Sequence, residues 1–257
     1  MVKVSNTFKS KALVLHKTKL GESDLIITFL AEDGSLIQAV ARGARKSKNL
    51  FAARLEVPAC VNVLFGCGRN LQYVHEVALI EPYRYMRTDF DKSTCAAVGA
   101  DLLRRIAQVD LPHPILFNMA RVYFETLNTC DTYQKYALCA AFCIKVVSAA
   151  GFKPSFTSCV FCGTPIQQND FASTLFSFEE GGVICSDCAS QAKGEYLNYN
   201  VLLWAQYLLM SNFADIAQEE IPLNLSFEEL RLCHRWIQCH LSQRLKSLDF
   251  LIANPPL

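Results

Sequence analysis

Two cysteine pairs constrain this chain more than any other feature: Cys159-Val-Phe-Cys162 and, after a 22-residue gap, Cys185-Ser-Asp-Cys188. Each C-x-x-C can form a tight turn that offers two thiolates to one ion. The gap is long enough for a hairpin to bring the second pair back to the first. The pattern points to Zn²⁺ in a closed tetrahedral shell. Four thiolates leave no position for water or substrate, so the ion is structural, not catalytic. A zinc deaminase needs H-x-E ahead of a single C-x-x-C, and a metalloprotease needs H-E-x-x-H. Here His75-Glu76 continues as Val-Ala-Leu. A dithiol redox site needs one pair in a βαβ setting, which neither pair has.

Composition adds bounds. The chain has 257 residues, 51% hydrophobic, which is enough for a substantial core in one large domain or two ordinary ones. The first apolar run, Ala12 to Leu15, is too short for a secretory signal. The longest apolar stretch, Tyr136 to Phe152, contains Lys145 and falls short of a membrane span, so it reads as a buried helix, with no membrane partner. Eight further cysteines (Cys60, Cys67, Cys95, Cys130, Cys139, Cys143, Cys233 and Cys239) read as free thiols in a reducing cytosol. The net charge of +1 hides an asymmetry. Residues 1–90 carry 13 Lys/Arg against 8 Asp/Glu, or +5, and residues 91–257 carry 12 against 16, or −4. An anionic partner would meet the N-terminal part first.

The first eighty residues read as β: Lys11 to His16, Asp24 to Leu30, Leu36 to Val40, Arg54 to Phe65 and Leu71 to Ile80. Glu32-Asp-Gly-Ser35 and Gly66-Cys-Gly-Arg-Asn70 supply turns, and Pro58 marks an edge or a bulge. Five short strands suggest a small closed barrel, with an SH3-like barrel or a five-stranded sandwich fitting the same pattern. From Asp91 the period becomes helical, with helices expected at 96–109, 114–127 and 132–150, the third apolar nearly all round and stopped by Gly151 and Pro154. Inside the cysteine segment, about 155–194, a hairpin around Glu179-Glu-Gly181 carries the second pair. A helix follows at 200–210. Ser226-Phe-Glu-Glu229 reads as a capping box opening a long last helix striped by Leu230, Ile237, Leu241, Leu245 and Leu248.

Between the third and fourth strands lies a basic loop holding Arg42, Arg45, Lys46, Lys48 and Arg54 with no acidic residue. Gly43 gives backbone freedom, and Ser47 and Asn49 add donors. Lysine point charges and arginine forks suit phosphate. Lys9, Lys11, Lys17 and Lys19 would enlarge the patch if the first strand lies nearby. Phe51 is the only aromatic in the loop, so base stacking is weakly signalled. A solvated loop is the bland alternative. No phosphate-binding G-x-x-x-x-G-K-[ST] occurs, and the histidines have no partner at catalytic spacing, so the chain reads as a non-enzyme. The rivals are a zinc-stabilised protein–protein adaptor without direct DNA binding and, more weakly, a zinc hydrolase.

These pieces resemble the RecO family of bacterial recombination mediators in DNA repair. The resemblance runs almost end to end: K-A-L-V-L-H with L-G-E-S-D (Leu20 to Asp24), G-S-L-I-Q-A-V-A-R-G-A-R (Gly34 to Arg45), G-F-K-P (Gly151 to Pro154) and E-G-G-V-I-C-S-D-C (Glu180 to Cys188). It implies an α+β multidomain chain: an N-terminal OB-type barrel over 1–82, then a helical domain over 83–257 with a zinc-binding insertion at about 155–194. It implies binding to single- and double-stranded DNA, annealing of complementary strands and, with RecR, loading of RecA onto DNA coated by single-strand-binding protein. It implies that Arg42, Arg45, Lys46, Lys48, Arg54, Lys11, Lys17 and Lys19 contact DNA and that Cys159, Cys162, Cys185 and Cys188 hold one structural zinc. The family's contact with the acidic tail of single-strand-binding protein lies on the helical domain, where Arg104, Arg105 and Arg121 are candidates by charge and position. The implied location is the bacterial cytoplasm, at the nucleoid.

Overall fold

The computed structural model describes residues 7–46, 49, 51–130, 133–166, 173–191, 193–242 and 244–256. The first strand is the longest element of the barrel. β1 (Thr7–Leu20) buries only its middle, Ala12 to Leu15, and serves two neighbours. Its first half pairs antiparallel with β4 (Cys60–Gly66), from Thr7 opposite Gly66 to Leu13 opposite Cys60. Its second half pairs with β2 (Asp24–Ala31), with a bulge between Val14 and His16 that bends the strand around the core. β3 (Leu36–Ala41) runs antiparallel to β2, and β5 (Gln72–Glu81) lies parallel to β3 and antiparallel to β4. The order β1-β2-β3-β5-β4 closes on itself, so the expected OB-type barrel forms and no strand edge is left open.

Alternation fills the barrel. Leu25, Ile27 and Phe29 of β2 and Val61, Val63 and Phe65 of β4 point inward, and Phe29 meets Phe65 edge-on at 5.4 Å. Ala44 and Leu55 are buried in the same cluster, so the β3–β4 connection covers one end of the barrel. The strand expected from Arg54 begins only at Cys60, because Phe51–Arg54 form a single helical turn, α1, and Pro58 has no N–H for a ladder. At the β2–β3 turn Asp33 accepts hydrogen bonds from the backbone and hydroxyl of Ser35 (2.9 and 2.7 Å), and Gly34 takes φ +83°. A Cβ there would lie 1.9 Å from the His113 carbonyl oxygen, so only glycine fits.

Helices α2 (Arg84–Thr88), α3 (Phe90–Ile106) and α4 (Pro114–Thr129) follow. The chain divides into two compact units, Met1–Asn128 and Thr129–Leu257. In the second, α5 (Gln134–Ala149) is buried nearly all round, as its pattern predicts, and Gly151 ends it with φ +98°. Lys145, the charge inside that apolar run, donates to the Leu209 carbonyl at 2.6 Å and caps α6 (Tyr199–Met210). Burial brings its ammonium pKa down to about 8. The hairpin β6 (Ser173–Ser177) and β7 (Gly182–Ile184) forms as expected. β8 (Glu195–Asn198) joins β6 from the other side, unforeseen because its two exposed residues and Gly194 carry no strand signal.

α7 (Phe213–Gln218) precedes α8 (Leu223–Leu241), and α9 (Lys246–Ala253) ends the unit. The capping box at Ser226 does not form. α8 starts three residues earlier, the Ser226 hydroxyl bonds back to the Pro222 carbonyl, and Glu229 faces the core. The last helix is broken at Ser242, which takes φ +49°. Leu245 and Leu248 are still buried, so the stripe is right but spans two helices.

Glu229 is fully buried, and its carboxyl oxygens have no hydrogen-bond partner among the described residues. Burial, and secondarily the charge of Glu228, raises its pKa well above the usual carboxylate range, so it is held neutral. Between the unfolded pKa, about 4.3, and this raised value, the unfolded chain releases a proton that the folded chain keeps. Stability therefore falls as pH rises through that window. Glu229→Met is expected to raise the stability of this unit by about 1–3 kcal/mol near neutral pH and to flatten its decline above about pH 4.3. Urea denaturation at several pH values checks both.

Candidate functional site

The four cysteines converge. Cys159 and Cys162 lie on a turn closed by Gly163 N–H to Cys159 O (2.9 Å), with Gly163 at φ +73°. Cys185 follows β7, and Cys188 sits in a 3-10 helix, Ser186–Gln191, with Cys188 N–H on Cys185 O at 3.1 Å. All four Sγ atoms lie within 4.8 Å of one another, and Cys162 and Cys185 are 3.6 Å apart. A tetrahedral ion with metal–sulfur bonds of about 2.3 Å needs sulfurs about 3.8 Å apart, so the donor set fits a soft divalent cation. Cys159 and Cys188 are buried, Cys185 is half-buried and Cys162 is exposed.

A cation between the sulfurs would favour their thiolate form. Burial pushes the Cys159 thiol up, but backbone N–H groups of Cys185, Cys162 and Phe161 outweigh it and bring its pKa down to about 6. The Cys185 sulfur, then burial, pushes Cys188 up to about 12. Four thiolates cannot share this space without a neutralising ion. The apolar cluster here is small: Cys159, Ile184 and Cys188, flanked by Val160, Ile166, Leu175 and Cys185. Such a core is too small to hold the module alone. A second anchor ties it to α8: Phe176 and Phe178 contact Trp236 at 5.9 and 6.1 Å, and the Trp236 indole N–H donates to Phe152 O at 3.0 Å.

The basic residues fall into two groups. Register places Lys19 opposite Leu25 and Leu25 opposite Ala41, so Lys19 and the turn at residues 42–46 lie at the same end of the barrel. Arg42 is exposed and its guanidinium lies over the Tyr73 ring, 4.7 Å from the centroid. Lys46 is exposed. Arg45 is exposed too, with Nη1 donating to the carbonyls of Gly21 (3.1 Å) and Glu22 (2.9 Å). Lys17 pairs with Glu56 at 2.9 Å. Ser47 and Lys48 lie outside the described residues. The second group lines a groove of about 810 Å³ across β1, β4 and β5: Lys9, Lys11, Arg54 and His75, with Glu32 and Glu76 among them. There Lys11 lies 3.6 Å from Glu32, and Arg54 donates to Val77 O at 2.9 Å. Phe51 packs against the barrel core, half-buried. Arg104 and Arg105 pair with Asp101, and Arg121 with Glu125.

The Recombination protein O N-terminal family model matches residues 4–83, and the Recombination protein O C-terminal model matches residues 87–249. The chain belongs to the RecO family. Similar proteins include the DNA repair protein RecO of Caldanaerobacter subterraneus subsp. tengcongensis, 26% identical over 94% of this chain and 96% of that one. That of Cutibacterium acnes is 28% identical over 95% and 98%, and that of Dehalococcoides mccartyi 27% identical over 89% and 88%. The two family models divide the chain between residues 83 and 87, whereas α2, α3 and most of α4 pack in one compact unit with the barrel. No helix among the described residues is long and apolar enough to cross a membrane.

Two features of the RecO-family site escaped the sequence reading. Tyr73 sits under Arg42 because β5 pairs with β3, Val40 opposite Tyr73, a contact across 33 residues that no local pattern reveals. The Phe176–Phe178–Trp236 anchor likewise joins distant segments. With Trp204 replaced by Phe to leave one reporter, Cys185→Ser or a strong chelator is expected to loosen the module and expose Trp236, since structural metal sites contribute on the order of 10 kcal/mol to folding. A red shift of tryptophan emission checks this, and an unmoved spectrum would count against a structural ion.

Proposed function

We propose that this RecO-family chain acts in DNA repair and recombination by binding, not by bond-making chemistry. It binds single- and double-stranded DNA, anneals complementary strands and, with RecR, helps load RecA onto DNA coated by single-strand-binding protein, whose acidic tail it contacts. The observation that carries the DNA reading is the exposed cationic end of a closed OB-type barrel, where Arg42 lies over Tyr73 and Lys46 and Lys19 share the same end. Residues 1–82 form the DNA-binding domain and 83–257 the helical domain. Arg42, Lys46 and Lys48 form the core of the contact surface, with Arg45 in the same turn and Arg54, Lys11, Lys17 and Lys19 flanking it. The four cysteines hold one structural Zn²⁺, supported by the all-thiolate donor set. The setting is the bacterial cytoplasm, at the nucleoid.

The mechanism follows from charge. Two DNA strands repel, and a protein that neutralises phosphates on both lowers that repulsion until the bases pair. Arg42 adds a planar cation already seated over an aromatic ring, a placement that suits an adjacent unstacked base. The zinc keeps the cysteine module folded and takes no part in contacting phosphate.

The experiment is a titration of labelled single-stranded DNA at several salt concentrations. The double substitution R42A/K46A is expected to weaken binding across sequences and to reduce the slope of log affinity against log salt by about 1.4, or about 0.7 per lost contact. Wild-type affinity and slope in that variant would remove the DNA assignment and leave the adaptor reading. Metal analysis of the purified protein is expected to return one zinc per chain.

A further inference from the structure

We propose that Asp24 and Arg45 are positioning residues: they clasp the turn at residues 42–46 to the β1–β2 turn so that Arg42 and Lys46 meet phosphate, and Arg45 itself makes no phosphate contact. This rests on the DNA reading above and deepens it.

Four hydrogen bonds cross between the two turns. The Gly43 N–H donates to Asp24 Oδ1 at 2.8 Å, and the Arg45 N–H donates to Ser23 O at 2.9 Å. The Arg45 guanidinium spans the Gly21 and Glu22 carbonyls at 3.1 and 2.9 Å. The Ser23 hydroxyl donates to the same Asp24 oxygen at 2.8 Å and fixes the carboxylate's direction. The turn itself needs this shape. Gly43 stands at φ +64°, Lys46 N–H closes on Gly43 O at 3.0 Å, and Ala44 dips fully buried into the barrel. The side chains of Arg42 and Lys46, on either side, donate no hydrogen bond among the described residues and act on Asp24 through charge alone, so their N–H groups remain available. Arg45 differs, because its Nη1 is already spent on two carbonyls, the fork being what lets one group reach both.

Charge alone would make the opposite forecast for Asp24. A carboxylate beside a phosphate-binding turn repels DNA, so its removal should tighten binding if electrostatics were its whole effect. If it positions the turn, its removal weakens binding although the chain becomes more positive. Arg45→Lys separates the roles in the same way. Lysine keeps the charge and could still meet a phosphate, but it cannot bridge both carbonyls with a rigid fork.

The test uses the full chain and a fluorescently labelled oligothymidylate, read by anisotropy. D24A and R45K are each expected to weaken binding about fivefold, the equivalent of one or two net hydrogen bonds. D24N keeps an acceptor for the Gly43 N–H and is expected to stay close to wild type. Amide exchange at Gly43 is expected to quicken in D24A while thermal melting of the barrel is unmoved. Wild-type affinity in R45K, or tighter binding in D24A, would overturn the proposal. If D24A fails to fold, R45K decides. If R42A/K46A leaves affinity unchanged, the DNA reading itself fails and this proposal falls with it. If R42A/K46A weakens binding and R45K does not, only the positioning role is lost.

Discussion

β1 belongs to two ladders at once, and the first unit depends on that double pairing. Seven residues at its start lie in register with β4 and eight, towards its end, with β2, the bulge between Val14 and His16 turning the strand from one to the other. A closed five-stranded sheet has no free edge, so the backbone of Ala12 and Leu13 is paired on both sides while their side chains are buried. Closure also decides where the chain's charges go. Once β1 has to reach as far as Leu20 to complete its pairing with β2, the Gly21–Ser23 turn must fall at the barrel end where β3 finishes at Ala41. The two turns meet because the ladders are long enough, and the clasp between Asp24, Gly43 and Arg45 follows from that meeting.

The second unit is organised on a different constraint. α5 is buried on all sides, so α6, α7 and α8 must surround it, and the 3.6-residue pattern is enough to specify that arrangement. The cysteine module has no such core. Its three strands carry five, three and four residues, and its fully buried side chains are few, chiefly Phe176 and Val183. A cation held by the four cysteines would neutralise the sulfurs from inside, and Trp236 receives the two phenylalanines from outside. Burying Phe176 against that indole contributes about 1.5–3 kcal/mol, well short of a metal site's contribution. An ion at the four cysteines would therefore do most to hold the module folded, and the aromatic contact sets where the module attaches.

What was legible in the sequence follows the range of the interaction. The β-branched and aromatic run over Asp24 to Leu30 and the Asp33-Gly34 turn are local, and both elements form where they were expected. The two cysteine pairs were legible because ligand spacing is itself a local code, and the four sulfurs converge as that code implies. Ser226-Phe-Glu-Glu229 shows where local codes mislead. The capping pattern is genuine as a string, yet α8 gains more by starting at Leu223 and turning Leu225, Phe227 and Leu230 into the core, which carries Glu229 inside with them. Tyr73 under Arg42 and Lys17 on Glu56 depend on pairings between strands and loops tens of residues apart, and no window of sequence holds both partners.

The same distinction bears on how the motifs of this chain are understood. L-G-E-S-D and A-R-G-A-R look like two separate signals, one acidic and one basic, and the basic one invites a reading as a phosphate site. Folded, they are the two halves of a single clasp. Gly21, Glu22 and Ser23 offer carbonyls, Asp24 offers a carboxylate, and Gly43 and Arg45 supply the N–H groups that fill them. Such a fit is demanding: Gly43 needs its positive φ, Ala44 its small buried side chain and Arg45 its fork. A phosphate contact is far less demanding, because a cation on a flexible stem serves at many positions along a backbone of repeating charge. The residues of the clasp are therefore those that give the basic loop its shape. Arg42 and Lys46 keep their cationic groups outside the clasp, on either side of it.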